Sequence, residues 1–183
     1  MSMIYWIILG VFILWIIWTY NKLVSFSFRA KEAISDIDVQ LKRRANLIPN
    51  LVEAVKGYMA HERGVLENVT KARTEVLSAP GNPLQREKKE NFLSQTLKTL
   101  FAVAENYPDL KANANFLELQ RELSDTENKI QASRRFYNNT VMTLNTYIES
   151  FPSNIIAKIF SFQPEKFFEL EAEAERKVPE VKF

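Results

Sequence analysis

The chain has 183 residues, 46% of them hydrophobic, a net charge of +2 and no cysteine. That length suits one compact domain with an appendage, and four glycines with seven prolines are too few for the turns of a many-stranded β fold. The small net charge, with no basic run longer than Lys42-Arg43-Arg44, argues against a nucleic-acid partner, and the missing thiols exclude disulfides and thiol catalysis.

The first predicted element is apolar on every side. Met1 to Asn21 carries no charged side chain, and the run from Ile4 to Trp18 is almost wholly apolar. Twenty-one helical residues rise roughly 31 Å, which matches a hydrocarbon core of about 30 Å. Tyr5, Trp6, Trp15, Trp18 and Tyr20 lie towards the two ends, where aromatic belts meet bilayer interfaces. A cleaved signal peptide fits less well: no Lys or Arg precedes the run and no small-x-small site follows it. Residues 1–21 are therefore read as a membrane anchor that spans once, from Ile4 to Tyr20. Lys22, Arg29 and Lys31 follow the span, while nothing basic precedes it. The positive-inside rule then puts the N-terminus outside and the larger domain in the cytoplasm, at the inner or plasma membrane. The sequons at Asn68 and Asn138 would face the cytoplasm and stay unmodified.

Next comes a sustained heptad seam. Steps of four and three residues give Ala30, Ile34, Ile37, Leu41, Arg44, Ile48, Leu51, Val55, Tyr58, Glu62, Val65, Val69, Ala72 and Val76, with Arg44 and Glu62 the only full charges. The pattern predicts a helix over 24–77, kinked at Pro49 because the phase passes through the proline. Leu77 to Pro83 is a dense stop signal. A second helix is expected over 84–106, with Phe92, Leu93, Leu97, Leu100, Phe101 and Ala104 on one side, ending at Tyr107-Pro108-Asp109. A third is expected over 113–150, with Asn115 and Glu118 in capping-box spacing. Its seam reads Phe116, Leu119, Leu123, Thr126, Ile130, Ser133, Tyr137, Thr140, Leu144, Tyr147 and Phe151, and Pro152 stops it. In the tail, 153–183, Ser153 is placed to cap a short turn carrying Ile155, Ile156, Ile159, Phe160 and Phe162. A Glu-rich stretch follows, from Glu169 to Glu175. The tail aromatics either close an end of the bundle or form an exposed interaction strip.

Amphipathic helices of such unequal length can bury one another only as a bundle, so the fold class is all-α. A helix of about 50 residues spans roughly 75 Å, so residues 22–152 are expected to form an elongated helical bundle of three to four helices.

The seam charges need partners. Arg44 and Glu62 stand about 27 Å apart on a helix and cannot pair with each other. Each buried charge costs several kcal/mol unless it is answered or reaches water. If the first and third helices run parallel, Glu118 and Arg135 fit as partners; if antiparallel, Glu149 and Lys129 fit. These pairs set register, or form a recognition cluster. Asparagines near the interfaces, including Asn46, Asn50, Asn128, Asn138 and Asn145, can bridge helices or cap the carbonyl that Pro49 frees.

Several long motifs resemble the LemA family of bacterial membrane-anchored helical proteins. One runs from Asp36-Ile37-Asp38-Val39-Gln40-Leu41 through Arg44-Ala45-Asn46-Leu47-Ile48-Pro49-Asn50-Leu51-Val52-Glu53 to His61-Glu62. Another is Ala104-Glu105-Asn106-Tyr107-Pro108-Asp109-Leu110-Lys111-Ala112-Asn113. A third comprises Leu119-Gln120-Arg121-Glu122-Leu123, Glu127-Asn128, Arg134-Arg135-Phe136-Tyr137-Asn138 and Phe151-Pro152. The likeness covers nearly the whole chain, including the anchor and Val178 to Phe183. It implies an antiparallel helical bundle on one N-terminal span, and it carries no activity with it. One departure is Asn46, where the family more often has Asp.

Catalytic patterns are missing. A di-iron bundle needs Glu-x-x-His on two helices, and the single histidine, His61, belongs to no such motif. Zinc lacks ligands, and no nucleotide-binding glycine pattern or serine-nucleophile motif is present. No metal, cofactor or catalytic residue is expected, and the chain is not read as an enzyme. The functional expectation is a membrane-tethered scaffold or adaptor for unknown protein partners, self-association included. The alternative is a membrane-shaping or self-associating structural protein.

Overall fold

The computed structural model describes residues 2–169, which are all-helical, with no strand among them. Helix α1 spans Ser2–Lys56, α2 Arg63–Leu77, α3 Glu87–Ala104, α4 Pro108–Lys111, α5 Ala114–Glu149 and α6 Ser153–Ile159. The expected tail over 153–183 is described only to Glu169; the rest of the Glu-rich stretch and Val178 to Phe183 lie outside the described residues. The chain divides into two compact units. One is built from Met1–Asp36 and Ser133–Phe167, the other around Ile37–Ala132.

The second unit holds the larger core. Ile48, Leu51, Val55 and Met59 pack with Val69, Ala72 and Val76, with Leu93, Leu97 and Leu100, and with Leu110, Phe116 and Leu123. Apart from Met59 and Leu110 these are the expected seam positions, and fully burying such a side chain contributes about 1.5–3 kcal/mol. Phe92, expected on the buried side of its helix, is half exposed instead.

The helix expected over 24–77 is two helices. The break falls at Gly57–Glu62, not at Pro49, which lies inside α1. Glycine costs a helix about 1 kcal/mol relative to alanine, and Gly57 is the first residue past α1. Seam burial lapses there too: Tyr58 is 40% exposed and Met59 fills the core in its place. Arg73 Nε donates to the Ala45 carbonyl at 2.8 Å, so α2 turns back along α1. On one continuous helix those residues would be roughly 42 Å apart. A heptad register reports which side chains face a core; a hairpin whose two helices face the same core preserves it.

That same bond answers the proline. Pro49 has no N–H, so the Ala45 carbonyl four residues back loses its helical donor. The guanidinium of Arg73, and no asparagine amide, takes its place.

Side-chain bonds mark the other boundaries. Asn82 and Gln85 exchange reciprocal bonds, each backbone N–H donating to the other's side-chain oxygen at 3.1 Å, a capping box just before α3. At α5 the cap is Asn113, whose Oδ1 accepts from the N–H groups of Asn115 and Phe116 at 3.0 and 3.1 Å; the expected Asn115–Glu118 box is not what starts the helix. The direction of α5 follows from two contacts in this unit. Arg44 meets Glu127 and Tyr58 meets Asn113, so an advance along α1 matches an equal retreat along α5.

In the first unit α1 is apolar and exposed from Met3 to Trp18, with only Gly10, Trp15 and Ile16 partly covered. From Thr19 onward a stripe is buried, including Leu23, Ala30 and Ala33. The ring of Phe26 meets Tyr147 edge-on at 5.5 Å, and Tyr20 meets Phe160 and Phe162 at 4.7 and 5.9 Å. Ser153 does not cap α6: its hydroxyl donates back to the carbonyls of Tyr147 and Ser150. Beyond α6 the chain runs along α5, where Asn145 bonds both backbone groups of Glu165 and the Tyr137 hydroxyl donates to the Lys166 carbonyl.

Candidate functional site

Arg44 is fully buried in the second unit. Its Nη1 donates to Ser94 Oγ at 2.5 Å and to Glu127 Oε2 at 2.8 Å; its Nη2 donates to Glu90 Oε2 at 2.6 Å and to the Glu90 carbonyl at 3.2 Å. Glu90 is fully buried as well, and its other oxygen lies 3.2 Å from Arg86 Nε. Arg86 bonds Asp38, which also pairs with Lys42 one turn along α1 at 3.0 Å. Lys42, Asp38, Arg86, Glu90, Arg44 and Glu127 thus form a chain of alternating sign drawn from α1, the start of α3 and the middle of α5. Desolvating each ion costs several kcal/mol, and short, multiply bonded geometry of this kind is what offsets it. Arg44 Nε is buried with no hydrogen-bond partner among the described residues.

The expected partners lie elsewhere. Glu118 sits exposed and pairs with Arg121 at 3.3 Å, three residues away on its own helix. Arg135 is exposed in the other unit, while Arg134 beside it is buried. Lys129 is exposed beside Asp125 at 3.6 Å, and Glu149 is exposed. Glu62 sits in the turn between α1 and α2, where the Tyr107 hydroxyl donates to it at 3.3 Å. Burial, then the charge of Glu62 and its hydrogen bond, raise the Tyr107 pKa above its ordinary value. The partners differ from those expected because the buried carboxylate that answers Arg44 comes from the second expected helix, not only from the third. Glu90 was within reach, since extending the α3 seam back from Leu97 and Leu93 by three and four residues lands on Glu90 and Arg86.

The network reaches solvent at both ends, through Lys42 on one side and Glu127 on the other. Leu97, Lys98 and Phe101 of α3 and Leu117, Arg121 and Asp125 of α5 border a groove of about 630 Å³ that also touches Ser94 and Glu127. Among the described residues no group of three or more His, Asp or Glu is placed to hold a metal ion. The arrangement locks three helices at one level and offers an open, amphiphilic groove above the lock.

Magnetosome protein MamQ 2 of Paramagnetospirillum magneticum is 25% identical, over 86% of this chain and 67% of its own length. Magnetosome protein MamQ of Magnetospirillum gryphiswaldense is 23% identical with the same coverage. Protein LemA of Metamycoplasma hominis is 26% identical, over 82% of this chain and 68% of its own. The LemA family pattern matches residues 33–183, and the chain belongs to the LemA family.

Proposed function

We propose that the chain is a membrane-tethered scaffold that holds a packed helical bundle near the bilayer and presents its grooves to protein partners. The observation that carries this reading is the contrast between a helix apolar all round at Met3 to Trp18 and a core locked by a buried ion network. A helix of that length and hydropathy suits one crossing of the membrane. With Lys22, Arg29 and Lys31 just past it, the bundle stands on the cytoplasmic side and the N-terminus outside. The ion network's role in this reading is to specify which helices meet and at what level, the best-attested use of buried charge. No step of catalysis is assigned to any residue. The relatives named for the magnetosome fit a protein of an assembled cell structure.

The test is site-specific photocrosslinking in native membranes from Leu117, at the α3–α5 groove, and from Val39 as a second exposed position. Discrete crosslinks to other proteins from Leu117, lost when Arg121 is reversed to Glu, support the scaffold. Crosslinks only between copies of the chain would replace it with a self-associating structural protein. Turnover of a generic ester, peptide or phosphate substrate by the pure protein would overturn both.

A further inference from the structure

We propose that α6 and the turn before it lie on the membrane surface, with Phe151, Ile155, Ile159 and Phe160 entering the headgroup boundary of the leaflet from which the first helix emerges. The inference rests on the reading that Ile4 to Tyr20 spans the bilayer. Three observations within the first unit carry it.

First, α6 is apolar on two sides. Ile156 and Ala157 are buried against the unit, yet Ile155 and Ile159, one turn apart, point away from it, and Ile159 is 66% exposed. Phe151 is 80% exposed and Phe160 half exposed. Large apolar side chains grouped like this in water mark a contact surface, whereas scattered ones do not.

Second, the ring contacts fix the height of this patch. Phe160 and Phe162 pack on Tyr20, the last residue of the proposed span, at 4.7 and 5.9 Å. Tyr20 and Trp18 are the aromatic residues that belong at the bilayer boundary if the run spans it. The patch is therefore level with the water–lipid interface and continuous with the surface that lipid already covers.

Third, basic side chains stand at the patch, beside the exposed Glu149. Lys22 Nζ sits 4.7 Å from the centre of the Trp18 ring and 5.5 Å from that of Tyr147, and Lys158 is exposed on α6 itself. Basic residues near such a surface are attracted to anionic lipid. A seven-residue helix would bind lipid weakly by itself. Tethered beside a span, it binds intramolecularly and loses little further freedom.

The missing cysteines permit a direct test on the full chain in phosphatidylethanolamine–phosphatidylglycerol nanodiscs. Single spin labels are placed through Ile155→Cys and Ile159→Cys, with Lys158→Cys as a further α6 position should either label disturb folding. Ile8→Cys reports the apolar run, and Phe136→Cys an exposed site on α5 of the same unit. Collision with dissolved oxygen is compared with collision with a water-soluble nickel chelate. The expected result is oxygen preference at 155 and 159 as at 8, and nickel preference at 136. Nickel preference at 155 and 159, with oxygen preference kept at 8, would overturn the proposal while leaving the span intact. Nickel preference at 8 as well would remove the span and the proposal together. Shielding of 155 and 159 from both reagents would mean that protein covers the patch, a second copy if the labels broaden one another, and would also overturn it.

Discussion

Within α1, the stretch from Met3 to Trp18 and the stretch from Ile37 to Val55 are both rich in Ile, Leu and Val, yet their surroundings differ completely. The first exposes nearly every side chain and contains no charge; the second buries one stripe, leaves a largely polar remainder and hides an arginine in that stripe. The helix backbone satisfies its own hydrogen bonds in either setting, so the distribution of side chains alone selects the solvent. The difference also shows where a charge can be tolerated. In the second stretch Arg44 is acceptable because Glu90, Glu127 and Ser94 come to it from two other helices. In the first stretch no such partners exist.

The comparison breaks most strongly at Arg44. Arg44→Met should leave Glu90 buried without its guanidinium and destabilise the second unit by about 3–5 kcal/mol, read from urea unfolding. A loss below about 1 kcal/mol would mean that the network contributes little beyond its packing volume. The converse experiment places a charge where none is answered. Phe12→Lys should disfavour membrane insertion by about 2.5–3.5 kcal/mol, seen as a shift from membrane to soluble fraction, while unfolding of the second unit stays unchanged. If membrane association is unaffected, the first stretch is not a span.

Smaller effects sharpen the contrast. Arg73→Met should cost about 1–2 kcal/mol in the native background, because the Ala45 carbonyl loses its only replacement donor. In a Pro49→Ala background the restored N–H answers that carbonyl, so the same substitution should cost almost nothing. Equal costs in both backgrounds would dismiss the coupling. A last effect is confined to alkaline pH, in the first unit. Burial, with the nearby Glu165 charge adding to it, pushes the Tyr137 pKa from 10.0 up to about 12. A raised pKa means that the folded state holds the proton more tightly. The stability tied to this group is thus complete below pH 10 and lost as pH rises towards 12. Tyr137→Phe should flatten thermal stability across that window, and an unaltered slope would assign the loss to other groups.

Much of this was legible in the sequence. The all-helical class, the apolar run and the buried face of α5 all follow from periodicity: Phe116, Leu123, Thr126, Ile130, Tyr137 and Leu144 are each buried where the seam puts them. The turn at Gly57–Glu62 was hidden because a hairpin and a straight helix share one phase when both faces meet the same core. The site was half legible. Arg44 stood out as a charge in a seam, but its partners depend on how α3 and α5 dock, and one-dimensional spacing carries no such information. Glu127 lies off the apolar stripe and reaches in from the groove, so no seam position announced it. Nearby asparagines are the obvious donors for the Ala45 carbonyl in one dimension, whereas the actual donor is a long side chain on the returning helix.

The segment that follows α6 is fastened by its peptide groups. Asn145 accepts from the Glu165 N–H at 2.9 Å and donates to its carbonyl at 2.8 Å, and Tyr137 grips the next carbonyl. An amide side chain here imitates one rung of a β-ladder, and such a rung is indifferent to the identity of the residue it holds. The attachment therefore places its demands on α5, at Tyr137 and Asn145, and leaves the side chains of Glu165 and Lys166 free to diverge among relatives without loosening the strap.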